Sequence, residues 1–398
     1  MKGCKTMSSL EKLYMVFAVI LALKSVKFYY FDAIPNIPLQ GVVLFIGILL
    51  LQGRKYSSIR KYWLLTVILV ANFIFITFNN QAIGNIINFL LILSFCLQED
   101  ELKKQIFTNF TKIFSALLIV SWIVYIPSLF ELRFLPEHIV EFDGRLFHCD
   151  YLCLYSDRVP PRFQGLFLEP GHIGMIISFV LFCRGYDLRS KQNWILILSL
   201  ILSFSLAGYI LAILGLIMHL LLQGRLSFKT IFLTCICLGG LSFLAIKQQD
   251  NVFYELIFKR LEFDDGTMAG DNRYTSVFES FYELNMKNRQ YFLLGMQDKF
   301  DINDFPGNAG YKVYIIQNGI IALIFLFLRY CAILFSKFSI HGLALLILFS
   351  FSFIQRPYAD WFVMYLLFVC ALPYFMERKG LRDTVCKVDV GVDGFSLY

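Results

Sequence analysis

About twelve apolar stretches, several of them short for a bilayer span, recur along almost the whole chain. Only two long polar segments, roughly 131–170 and 247–312, break the series. A helix needs roughly 20 predominantly apolar residues to span the hydrocarbon core. Candidate spans lie near 12–31, 36–52, 62–78, 82–97, 113–130, 171–186, 193–207, 208–223, 230–246, 313–335, 339–355 and 361–376. Charged residues make up 16% of the chain, against about 25% in soluble domains. The mean hydropathy is +0.65. The expected fold class is an all-α polytopic membrane protein with about twelve transmembrane helices. Residues 1–376 form a single transmembrane domain in this reading, and 377–398 form a tail.

Orientation follows from the loops. No small-residue cleavage site follows the first apolar stretch, which Lys2, Lys5 and Lys12 precede or open, so a retained first span is expected. Lys and Arg collect in alternate connections: Arg54, Lys55, Arg60 and Lys61; Lys103, Lys104 and Lys112; Arg184, Arg189 and Lys191; Arg225 and Lys229; Lys337; and Arg378, Lys379 and Arg382. The positive-inside rule makes these connections and both termini cytoplasmic, and puts the two polar segments outside. Membrane orientation accounts for the net charge of +7, and nothing calls for nucleic acid. The weak point is Ser203–Tyr209, which offers almost no loop; if 193–223 were one span, every later connection would change sides.

Cys96, Cys183, Cys235, Cys237, Cys331 and Cys370 sit in or beside apolar spans, where a thiol behaves as a small hydrophobe. Cys149 and Cys153 share an outer loop, where a local disulfide and two free thiols are both open. His148 beside them lacks enough companions for a zinc site. The first outer loop carries Arg133, Arg145, Arg158 and Arg162 and not one Lys. Guanidinium grips phosphate and carboxylate in a planar fork, whereas ammonium acts as a point charge. Arg133 and Arg145 read as loop ties to Glu137, Glu141, Asp143, Asp150 or Asp157.

Arg158 and Arg162 lead instead into Arg162-Phe-Gln-Gly-Leu-Phe-Leu-Glu-Pro-Gly-His-Ile-Gly174. Pro170 suits a first helical turn, which places Glu169 at or next to the N-cap and Gly171 and His172 in the first turn. Free backbone N–H groups at such a terminus, with Arg162 nearby, suit an anionic head group; the plainer alternative has Glu169 cap the helix and pair with Arg162. In the second outer loop, Arg273 stands among Asp265, Asp271 and Asn272, between Gly266 and Gly270 on one side and Tyr274 on the other. A simple Asp–Arg loop tie remains open there. Asn308-Ala-Gly-Tyr311 precedes the next span, and Gln355-Arg-Pro-Tyr-Ala-Asp360 joins the last two. An outward Arg356 opposes the orientation bias, so it either serves a local purpose or pairs with Asp360. Arg329 and His219 fall toward cytoplasmic span ends, where snorkelling explains them.

This arrangement resembles the Wzy-type O-antigen polymerases. The similarity of layout covers nearly the whole chain, and the part around Glu169-Pro-Gly171 is the most specific. The resemblance implies a bacterial inner-membrane glycosyltransferase of the polytopic, lipid-linked-donor class, without a metal or other cofactor. It would join oligosaccharide repeat units carried on undecaprenyl pyrophosphate at the periplasmic face, alone or beside a chain-length regulator. O-antigen ligases look similar but typically place a functional His in or just after the late loop. Here His138, His148, His172, His219 and His341 all lie outside 247–312, which favours a polymerase.

The chemistry then assigns roles. Arg158, Arg162, Arg273 and Arg356 are candidates to stabilise charge on a departing pyrophosphate. Glu169 is the first candidate base for the acceptor hydroxyl, with Asp271 or His172 behind it, and Tyr274 and Tyr311 are further substrate contacts. A twelve-span flippase for lipid-linked oligosaccharide is the rival from another class. Transporters tend to place charge at the bilayer midplane, whereas these spans are nearly free of it. A third reading makes the outer loops a non-catalytic glycan-binding surface.

Overall fold

The computed structural model describes residues 7–52, 62–76, 82–132, 135–155, 162–224, 263–264, 267–268, 276–296, 300, 310–356 and 358–375. They are predominantly helical: α1 (Ser9–Ser25), α2 (Asn36–Leu51), α3 (Trp63–Ile76), α4 (Ala82–Leu97), α5 (Asp100–Ser128), α6 (Pro170–Arg184), α7 (Lys191–Leu202), α8 (Leu206–Leu222), α9 (Ser276–Met286), α10 (Arg289–Leu294), α11 (Gly310–Ser336), α12 (Ile340–Gln355) and α13 (Phe362–Phe375). Every expected apolar segment within the described residues is a helix. The segment at 230–246 and the tail 377–398 lie outside them. By length and composition α5 and α11 are apolar enough to cross a membrane, and most of the others are shorter apolar helices.

Three features depart from the sequence reading. Helix α5 begins at Asp100, well before the expected 113, because hydropathy excludes a charged first turn that the backbone accepts. Asp100 and Glu101 suit the positive helix end. Lys103, expected in a loop, is buried and donates to the Cys96 carbonyl. Second, the fold is not all-α: the first polar segment holds a three-stranded antiparallel sheet of β1 (His138–Phe142), β2 (Arg145–Cys149) and β3 (Leu154–Tyr155), and β4 (Phe263–Asp264) pairs with β5 (Thr267–Met268). Third, Arg329 does not snorkel. It is buried and pairs with Asp360 at 3.1 Å, and Asp360 also accepts from Tyr314 and Tyr365.

The Ser203–Tyr209 turn separates two helices. Phe204 takes a positive φ, and the Ser205 side chain caps α8 by accepting from the Gly208 N–H. Helices α6 and α8 run parallel: Gly174 meets Gly208, and further along Phe182 and Tyr186 meet Gly215. Two reversals must therefore lie between them, with α7 as the return helix. Glycine is required at this crossing, because a Cβ on Gly208 would stand 2.8 Å from the Gly174 Cα.

The bundle has two ends. At one, Lys337 pairs with Asp100 and the His341 ring stacks on Phe375. At the other, Ser25 accepts from the Val363 N–H, Lys27 pairs with Asp143, and Gly310 packs on the Arg356 backbone. Helix α11 is broken at Gly319 (φ 84, ψ 165). The segment after α10 covers the break: the Met296 N–H donates to the Ile316 carbonyl, and Gly295 lies against the Gln317 carbonyl. That contact satisfies backbone the break would otherwise orphan. Outward positions on the helices are themselves apolar, including Phe45, Trp63, Ile74, Ile123, Leu221 and Phe351.

We expect Gly208→Val to force α6 and α8 apart and cost about 1–3 kcal/mol. Thermal unfolding of the purified protein should show a lowered Tm. Gly41→Ala, inside α2 where a Cβ meets nothing within 4 Å, should not lower it.

Candidate functional site

Segment 162–169 is non-helical with a turn at Gly165–Leu166, buried over most of its length, and fixed nearly residue by residue. The Arg162 guanidinium donates through Nε to the Ser203 carbonyl (3.2 Å) and through Nη2 to the Phe204 carbonyl (2.8 Å). The Phe163 N–H donates to Leu202, the Gly165 carbonyl accepts from Leu154, the Leu166 carbonyl accepts from Tyr29, and the Leu168 N–H donates to Lys27. Gly165 adopts φ +55 with Ser121 against its α-carbon, a conformation and a space that favour glycine. The segment is thus a tether that delivers Glu169 to the N-cap of α6, with Pro170 in the first turn as its chemistry requires.

The Glu169 side chain makes no capping hydrogen bond. It instead joins two arginines from distant parts of the chain. Arg145 Nη1, from the start of β2, donates to Oε1 at 2.8 Å, and Arg356 Nη1, at the C-cap of α12, donates to Oε2. Arg356 lies directly over Gly171, where a Cβ would come within 2.7 Å of Nη2, and its backbone abuts Gly310. Two glycines therefore clear the seat of one arginine. Arg356 Nη1 also donates to the Tyr358 hydroxyl at 3.1 Å. Among the described residues nothing accepts from the remaining guanidinium nitrogens of Arg145 or Arg356. With Lys27 and Asp143 alongside, three cations (Lys27, Arg145, Arg356) face two carboxylates (Asp143, Glu169).

Aromatic rings line one side. Tyr358 and Trp361 stack with centroids 3.8 Å apart at 18°. The His172 ring meets both nearly at right angles, 4.8 Å from Tyr358 and 5.1 Å from Trp361. His172 is fully buried, and neither ring nitrogen has a hydrogen-bond partner; the Val26 backbone lies near the ring without that geometry.

The expected site residues fall into four groups. Glu169, His172 and Arg356 come together. Arg162 lies at the other end of the tether, on backbone carbonyls. Tyr311, half-buried, follows Gly310 at the start of α11, where Lys312 pairs with Glu279. Arg158, Asp271, Arg273 and Tyr274 lie outside the described residues. Arg356 does not pair with Asp360, and Arg145 pairs with none of the loop acids named for it; Glu169 takes both. Arg145, Tyr358 and Trp361 escaped the sequence reading, although the lysine-free loop was a signal for the first. His148 pairs with Glu137, and Cys149 and Cys153 are free and buried. Burial pushes both thiols up, which disfavours the reactive thiolate. Among the described residues no three His, Cys, Asp or Glu side chains gather to hold a metal ion. No family model matches the chain, and neither does any curated protein or solved structure.

Burial alone pushes the Glu169 carboxyl up, but the Arg356 guanidinium and then Arg145 outweigh it and hold the group well below the usual carboxylate range. A carboxylate so held is a poor proton acceptor until its arginines find another anion. Because its folded pKa is depressed, the stability it contributes is present above about pH 4.3 and lost as the pH falls below that. Glu169→Gln should therefore cost about 1–2 kcal/mol at pH 7. Paired Tm measurements across pH should show the wild-type advantage shrinking as the pH drops through 4 toward 3.

Proposed function

We propose that this chain is a multi-pass membrane glycosyltransferase that polymerises undecaprenyl-pyrophosphate-linked repeat units into O-antigen or a related surface polysaccharide. The observation that carries this reading is the Arg145–Glu169–Arg356 cluster, where cations exceed carboxylates and unused N–H donors surround a helix N-terminus. Such a place suits a pyrophosphate. The apolar outer faces of the helices support embedding in a bilayer, since soluble proteins rarely expose large contiguous apolar patches. We place about twelve spans in the bacterial inner membrane, the cluster at the periplasmic face and both termini in the cytoplasm. The gathering of 25–27, 143–145, 169–172 and 356–363 at one end of the bundle accords with that topology.

In this mechanism the donor's pyrophosphate displaces Glu169 from Arg145 and Arg356. The arginines then stabilise the charge that builds on the leaving group. Glu169, relieved of its cations and set beside new negative charge, rises in pKa and takes the proton of the acceptor hydroxyl. The oxygen–anomeric carbon bond forms as the bond to pyrophosphate breaks on the opposite face, inverting the centre. Arg162 positions Glu169 from the far end of the tether. Arg158, Arg273, Asp271, Tyr274 and Tyr311 remain candidates for contacts to the rest of the substrate, and His172 for a supporting role behind the stacked rings. No cofactor is required, and a chain-length regulator is a candidate partner.

The test is deletion of the gene in its host, with complementation at matched protein levels and surface glycan resolved by gel. Wild type should restore a ladder. Glu169→Ala and Arg356→Ala should leave single repeat units, in line with losses of about 10²–10³ in rate when a charge-stabilising donor is removed. Arg145→Ala, at 61% exposure, should shorten the ladder less severely. Loss of all surface repeats on deletion would point to a ligase or flippase, and an unchanged ladder would refute the reading.

A further inference from the structure

We infer that Tyr358 and Trp361 form a sugar-binding platform beside the anion seat, taking the pyranose ring next to the pyrophosphate; this rests on the lipid-linked-donor reading above. The two rings stack on each other at 3.8 Å, are only partly buried, and follow Arg356 within one short turn. Their polar edges are unspent. Among the described residues nothing accepts from the Trp361 indole N–H, and the Tyr358 hydroxyl accepts from Arg356 while donating to nothing. A pyranose presents an apolar face of C–H bonds and a rim of hydroxyls, so it needs an aromatic face with hydrogen-bonding groups at the edge.

Two more observations aim the pair at a ligand. His172 stands behind both rings, wholly buried with unpartnered nitrogens, an expensive arrangement for a side chain that only packs. The turn carrying the rings is also braced independently of the anion seat. Asp360 holds Arg329, Tyr314 and Tyr365, the Ala359 carbonyl accepts from Tyr330, and the Val363 N–H reaches Ser25. The residues on either side of Trp361 are thus fixed in place, five positions along the chain from Arg356, as a sugar joined directly to pyrophosphate requires. The distance along the chain sets the order: charge at Arg356, ring at Tyr358 and Trp361.

The experiment measures binding of two probes to the full-length protein in nanodiscs: undecaprenyl pyrophosphate, and the same lipid carrying one N-acetylglucosamine. Wild type should bind the sugar-bearing probe about three- to tenfold more tightly, the contribution expected of one aromatic stacking contact. Trp361→Ala should abolish that preference while leaving affinity for bare undecaprenyl pyrophosphate unchanged, and Trp361→Phe should keep most of it. Equal loss of both probes in Trp361→Ala would make Trp361 a prop for Arg356 and overturn the platform. So would equal affinity of wild type for the two probes, with the lipid-pyrophosphate reading left standing. Failure of wild type to bind either probe would overturn both.

Discussion

One carboxylate shared by two guanidiniums organises one end of the helical bundle. Glu169 ties the first polar segment, through Arg145, to the junction of the last two helices, through Arg356, and it stands at the start of a buried helix. An arginine above a helix N-terminus is electrostatically misplaced, because that end already carries partial positive charge. Glu169 makes the position tolerable, and the same conflict makes the site receptive to a stronger anion. Charge of this kind in a largely apolar protein is costly to hold and points to use.

The rest of the fold serves to keep these partners in place. The tether 162–168 gives its backbone to the segment after α1, to β3 and to the end of α7, so Glu169 has little freedom to drift. The turn at 356–361 is braced from beneath by Tyr314, Arg329 and Tyr330 of α11. The break at Gly319 in that helix is itself covered by the segment following α10. Residues 295–296 thereby lean on the same helix that braces residues 359–360. A ligand bound across both loops would meet a preorganised end of the bundle, not a set of independent loops.

The helices were legible because apolar runs of this length have few alternatives, and α5 ran beyond its hydropathic limit only where its first turn carries charge. The Glu169-Pro170-Gly171 motif was legible as a helix start. The sequence could not reveal that Gly171 clears space for an arginine 185 positions later, since close approach between distant segments leaves no local pattern. The alternative pairing of Arg162 with Glu169 does not occur for a related reason: the buried tether carries the two apart, and Arg162 reaches the Ser203 and Phe204 carbonyls. Arg145 was passed over because acidic neighbours offered nearer partners, and Arg329 because a span end offers a simpler explanation than a buried pair. The small sheet was missed because five-residue strands in a polar loop carry too short an alternation to register.

The most direct measurement uses purified protein in nanodiscs with its host's undecaprenyl-pyrophosphate-linked repeat units and no other protein. The products are analysed for glycan length, anomeric configuration and released undecaprenyl pyrophosphate. The account predicts lipid-linked oligomers with one equivalent of carrier pyrophosphate released per bond, inverted linkages, and loss of turnover in Arg356→Ala. Folded protein that binds the repeat units and forms no glycosidic bond, or forms bonds with retained configuration, would contradict it.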